Sequence, residues 1–353
     1  MVVAAIGLDV IKTDKEQRLD GYLPSHSCGF RDEDIFVRLP CKDESYEKQE
    51  DPGTTCPDNG MIESNVLNTT DSSTLSPMAY LIQLSSIWTD ILAHINRSPY
   101  QSDTTYRTSF GTFYTTTTNR LLTFQSSLPP YLTYNSFNTS AHLGNNLLPM
   151  YVTLHTLYHH THLILNRYSR ISFLSPSALT ANVLTATTHA RSLLRIMQSL
   201  TKIFTDLKSL PPFIATAIVT ATDVLSAAGS FETELFTDTL RIMNGGLSIV
   251  DEVAGCWKNA RVGRRKIKER IGEVAESGIG GPRGVRGWVV EEGLEGDTEV
   301  GRRDMDLFYV EGEGRNILLR ALGVEGRVVV LENMGSRGEG EGMEEEEDER
   351  VEM

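Results

Sequence analysis

A chain of 353 residues, 40% of them hydrophobic, is long enough to bury one large core or two smaller ones. Its four cysteines, Cys28, Cys41, Cys56 and Cys256, are too widely spaced for a C-x-x-C metal clip and too few for a disulfide scaffold, which points to reduced thiols in an intracellular protein. The net charge of -14 is uneven: between Asp103 and Asp206 there is no carboxylate, only Arg107, Arg120, Arg167, Arg170, Arg191, Arg195 and Lys202, which excludes paired-carboxylate acid–base chemistry and carboxylate-backed metal histidines from that interval.

In chain order, MVVAAIGLDV is apolar but lacks a basic leader, so residues 1–20 read as an N-terminal extension and not a secretory signal. Residues 21–77 read as an extended and looped segment. Ile35, Val37 and Leu39 alternate with Phe36 and Arg38 until Pro40, and residues 51–77 are rich in Pro, Gly, Asn, Ser and Thr. From Met78 the period changes: Leu81, Leu84, Trp88, Ile91, Leu92 and Ile95 predict an amphipathic helix over 78–97, with Ser76 and Pro77 placed as N-cap and first-turn proline. Further helices are expected at 104–126, where four consecutive threonines weaken helix propensity, and at 145–169, 177–204, 211–228, 231–244 and 247–271. The expectation is an all-α fold, an irregular multi-helix domain over 78–271, with an extended N-terminal segment. Residues 272–353 are rich in Gly, Glu and Arg and hold too few apolar residues to offset ordering entropy, so a disordered tail is expected. The longest apolar run, PPFIATAIVTATDVLSAAG, is broken by Asp223 and several threonines, so no membrane span and no membrane partner is expected.

Two clusters carry most of the chemistry. LHTLYHHTHLILNRYSR, residues 154–170, holds four of the eight histidines. On a helix, His155, His159, His162 and Asn166 fall on one stripe beside an apolar arc of Tyr151, Leu154, Leu157, Tyr158, Ile164 and Leu165. A His155–His159 pair has the spacing for a metal, with His142 or His189 as a third ligand, but the glutamate of H-E-x-x-H is missing. The other reading makes these histidines hydrogen-bonding residues of a helix–helix seam. The second cluster, KNARVGRRKIKER, holds Lys258, Arg261, Arg264, Arg265, Lys266, Lys268 and Arg270. It admits three readings: a solvated helix end, a nuclear-import signal on Arg264, Arg265, Lys266, Lys268 and Arg270, or a nucleic-acid contact. Neither a G-x-S-x-G nucleophile nor a phosphate-binding G-x-x-x-x-G-K-[ST] is present.

The order of motifs resembles the fungal-specific transcription factor domain, or middle homology region, of binuclear zinc-cluster transcription factors. DEDIFVRLPCKDE, with Leu39, Pro40 and Cys41, is similar to its early acidic segment. Phe124, Leu128, Pro129 and Asn138 follow its aromatic, Leu-Pro and Asn series, with Phe124 where the family usually has Trp. Leu154, His155, Tyr158, His159 and Arg167 follow its L-H-x-x-Y-H motif and Arg, TAIVTATDVL its alanine-rich helix, and Trp257 to Ala260 its closing W-x-x-A. The resemblance spans roughly residues 20 to 265, and the family's first helices have no counterpart before Gly21. The six-cysteine DNA-binding module is missing, so the zinc of the family belongs to a part this chain lacks and no cofactor is expected. The resemblance implies a regulatory domain in the nucleus that is not an enzyme. Its implied partners are the transcription machinery, co-regulators or a second copy of itself, without direct DNA contact. The alternatives are a truncated or inactive fragment of such a factor, and a metal-assisted enzyme using His155 and His159.

Overall fold

A computed structural model describes residues 39–49, 75–228 and 233–279. The expected extended run before Leu39, most of the 51–77 linker and the tail beyond residue 279 lie outside the described residues. Within them the chain is all-α. Short α1 (Asp43–Glu47) precedes α2 (Pro77–Arg97), α3 (Asp103–Ser127), α4 (Ser136–Gly144), α5 (Leu148–Arg167), α6 (Pro176–Ile203), α7 (Phe213–Ala228), α8 (Thr233–Cys256) and α9 (Lys258–Ile279). The only extended pairing among the described residues is an isolated antiparallel bridge from Cys41 to Leu75. With the Ser76 N–H donating to Pro40 O at 3.1 Å, it fastens the first described residues to the head of α2. No described helix is long and apolar enough to cross a membrane.

Short polar residues open α2, α3, α4 and α6, whereas α5 starts after Leu147 with no side-chain cap. Ser76 Oγ accepts the Ala79 N–H at 3.3 Å, Ser102 the Thr105 N–H at 3.3 Å, and Ser175 the Ala178 N–H at 3.2 Å. Asn135 Oδ1 accepts the Asn138 N–H at 2.8 Å. Each cap satisfies an amide that the first turn leaves open and contributes about 1 kcal/mol. Pro77 and Pro176 follow two of these caps, where a missing N–H costs nothing. The threonine run at 115–118 does not break α3, which continues through it to Ser127.

Three boundaries differ from expectation. The helix expected from 145 is preceded by a separate one, α4, joined to α5 through Asn146, whose φ of 57° turns the chain. The break expected at Gly245-Gly246 is instead the middle of α8, and the chain breaks at Trp257. The reason is close packing. A Cβ on Gly245 would lie 2.9 Å from Gln198 Cβ and 3.0 Å from Gln198 Cα, and one on Gly246 would lie 2.9 Å from Ile218 Cγ2. The glycines let α8 approach α6 and α7 more closely than a side chain allows. α9 also runs past residue 271 to Ile279, with Val274 buried.

α5 occupies the centre, packed against α2, α3, α4, α6 and α7, while α8 and α9 pair with each other and close over α6 and α7. Central placement explains why α5 has no solvated face: Tyr151, Leu154, His155, Tyr158, His160, His162, Leu163 and Ile164 are all buried. An amphipathic helix needs one apolar stripe; a central one needs partners for whatever polar groups it carries.

Candidate functional site

Polar residues of α5 meet partners from other elements in three places, while His160 and the Thr156 hydroxyl have no hydrogen-bond partner. The first is the turn before α4. Pro129 and Pro130 hold the chain out of regular helix pairing, so the carbonyls from Pro130 to Thr133 need outside donors. Asn138 Nδ2 donates to Pro130 O and to Thr133 O, both at 2.7 Å. His142 Nε2 donates to Tyr131 O and His155 Nε2 to Leu132 O, each at 2.9 Å. The Tyr151 hydroxyl donates to Thr133 O at 3.0 Å and accepts the Asn135 N–H at 3.2 Å. Because a carbonyl only accepts, both imidazoles carry their proton on Nε2 here. His155 also meets Tyr151 edge-on at 4.7 Å, and burial pushes it down to about 4.

The second place is the seam between α5 and α6. His159 Nδ1 and His189 Nδ1 are 2.9 Å apart, so one neutral ring donates and the other accepts. His162 stacks on His189 with centroids 4.1 Å apart and planes within 10°. Tyr158 stands edge-on to His162 at 4.8 Å, and its hydroxyl donates to Gln125 Oε1 of α3 at 2.6 Å. Phe124 of α3 lies beside the Tyr158 ring at 6.4 Å. Burial, and then the neighbouring histidines, push His159 and His162 down to about 3; burial alone pushes His189 to about 4. One turn further, the Tyr114 hydroxyl donates to Asn166 Oδ1 at 2.7 Å and lies 3.1 Å from Asn182 Oδ1.

The third place is a buried ion cluster at the C-terminal end of α5. Asp223 of α7, 6% exposed, lies 3.8 Å from Arg167 and 3.3 Å from Arg270 of α9. Burial raises the carboxyl above its ordinary range, and Arg167, Arg270 and Lys266 pull it back. His160 stands apart from all three, against Trp88 and Phe213, with neither ring nitrogen hydrogen-bonded and a pKa pushed by burial to about 3.

The structure thus separates His155 from His159: the first serves the turn, the second His189. A metal lies in the plane of each imidazole that binds it, so His162 and His189, stacked face to face, do not point at one ion. Among the described residues no group of three or more His, Cys, Asp or Glu side chains is placed to hold a metal ion. What these imidazoles do is donate, accept and stack.

The remaining predicted residues fall into the same framework. Leu39 and Leu154 are buried, Cys41 is half-buried, Leu128 caps α3, and Pro129 accepts the Leu132 N–H at 2.9 Å. Trp257 is half-buried at the α8–α9 break, its backbone N–H donating to Val253 O at 2.9 Å. The basic cluster is split: Arg264, Arg265 and Lys268 face solvent, whereas Lys266 and Arg270 turn toward Asp223. Sequence reasoning missed Asp223 as the partner of Arg167, although a carboxylate inside an apolar helix is itself a signal of a buried pair. It also missed Asn182, Tyr114 and Gln125, which carry no local pattern. Comparison of the chain with protein-family models, with curated proteins and with solved structures finds no match.

Proposed function

We propose that this chain is a regulatory domain acting on transcription in the nucleus through contacts with other proteins, without a DNA reader or a reactive centre of its own. The observation that carries this reading is the placement of the motif series. Leu154, His155, Tyr158 and Arg167 are buried, and with His159 they tie α5 to α3, α6, α7 and the Pro130–Thr133 turn. These residues brace the helical body, which supports reading the motif series as a scaffold pattern like that of the fungal transcription factor domain it resembles. Buried histidines held well below neutral pH are poor general bases, since proton transfer is efficient near the working pH. Co-regulators, the transcription machinery or a second copy of the chain are the partners this reading implies.

The test is to fuse the full chain to an unrelated DNA-binding module and to measure a reporter carrying that module's site. A change in output of several-fold in either direction is expected, and it should weaken in a fusion carrying Asp223→Ala, which destabilises the helical body. Unchanged output with a well-expressed fusion would overturn the proposal.

A further inference from the structure

α9 presents two unlike faces. Ala260, Ile267 and Val274 are buried, while Lys258, Arg261, Arg264, Arg265 and Lys268 are exposed. These five bases occupy one solvent-facing stripe of about 15 Å, at 1.5 Å rise per residue. Among the described residues two carboxylates touch it: Asp251 pairs with Arg264, and Glu269 lies 3.8 Å from Arg265. The side chains of Arg264 and Arg265 nevertheless remain 49% and 67% exposed. Such exposed pairs are each worth at most about 1 kcal/mol, so they exchange readily for a stronger acidic partner.

The same chain carries that partner. Residues 344–349 are six consecutive acids, EEEEDE, with Glu339, Glu341 and Glu352 nearby. Six residues span at most about 20 Å, a match to the length of the stripe. The chain between Ile279 and Glu344 reaches far more than the length of α9 even at a small fraction of its contour, at ~3.5 Å per residue. Covalent linkage makes the encounter intramolecular, which favours this segment over any free polyanion of similar charge.

We infer that the exposed basic stripe of α9 is a docking surface for the acidic segment 339–352 of the same chain, which covers Arg261, Arg264, Arg265 and Lys268 and competes with outside acidic partners. This contact stands apart from the regulatory reading, because its test needs no reporter.

The experiment is zero-length carbodiimide crosslinking of the full chain at low salt, followed by peptide mass spectrometry. Crosslinks from Lys258 and Lys268 to carboxylates within 339–352 are expected. They should persist within single chains when isotopically labelled and unlabelled protein are mixed. They should fall several-fold at about 0.5 M salt, where screening shortens to a few ångströms. A second protein, carrying Arg261→Ala, Arg264→Ala and Arg265→Ala, keeps the reporter Lys268 but removes the charge around it; its Lys268 crosslinks to the tail should also fall several-fold. Tail crosslinks spread equally over Lys42, Lys48, Lys202 and Lys208, none at all, or yields unchanged by the three substitutions would each overturn the inference.

Discussion

At the scale of single residues, the histidines govern how the protein responds to acid. His155, His159, His160, His162 and His189 are all pushed well below the ordinary value of 6.5, to about 3 or 4, chiefly by burial. The unfolded chain therefore takes up protons first as pH falls through 6.5, and stability is lost from there down to the folded values. At pH 5.5 each such histidine costs about 1.4 kcal/mol, so five together approach the total stability of an ordinary domain. The expected outcome is cooperative unfolding between about pH 6 and pH 5, monitored by far-ultraviolet circular dichroism. His160 gives a sharper test, because both its ring nitrogens lack partners and its neighbours are Trp88 and Phe213. His160→Leu should raise stability by about 1 kcal/mol at neutral pH and move the acid midpoint downward. Asp223→Ala has the opposite sign: it leaves Arg167 and Arg270 without their shared carboxylate, at a cost of roughly 3 kcal/mol in chemical denaturation.

At the scale of elements, glycine reads differently in α3 and α8. Gly111 lies within α3, exposed, with open space where its Cβ would be. Gly111→Ala should therefore stabilise by up to about 1 kcal/mol, the ordinary helix preference. Gly245→Ala gains the same preference but brings a Cβ to 3.0 Å from the Gln198 backbone, and backbone does not yield as a side-chain end does. A net loss of about 1–2 kcal/mol is expected from the denaturation midpoint. The Pro130–Thr133 turn makes a parallel case. Asn138→Ala removes two donors to its carbonyls and should cost about 2 kcal/mol, whereas an exposed change at neighbouring Phe137 should cost little. The period and the Ser76 cap were legible in the sequence, and α2, α3 and α6 start within a residue of expectation. α4 was not, since nine residues without an apolar stripe of their own give no periodic signal.

At the scale of the whole molecule, the basic cluster of α9 is divided by the fold into a solvent face and a buried one. Replacing Arg264, Arg265 and Lys268 together with alanine should leave thermal unfolding nearly unchanged, as exposed substitutions do. On the proposed reading the same change redistributes a fluorescently tagged chain from nucleus to cytoplasm; a tagged chain that stays nuclear removes the import role from these three residues. By itself the sequence determined the all-α class, the Ser76 cap of α2, the acid-free interval and the crowding of histidines onto one helix, because all of these depend on composition or on residues a few positions apart. The tertiary structure decided which partner each histidine takes, that His155 and His159 serve different neighbours, that Gly245 and Gly246 pack a helix and do not end it, and that Arg167 meets Asp223. Those choices depend on contacts between residues tens of positions apart, where hydrogen-bond direction and the room left for a Cβ are set by how helices cross, and no local pattern records either.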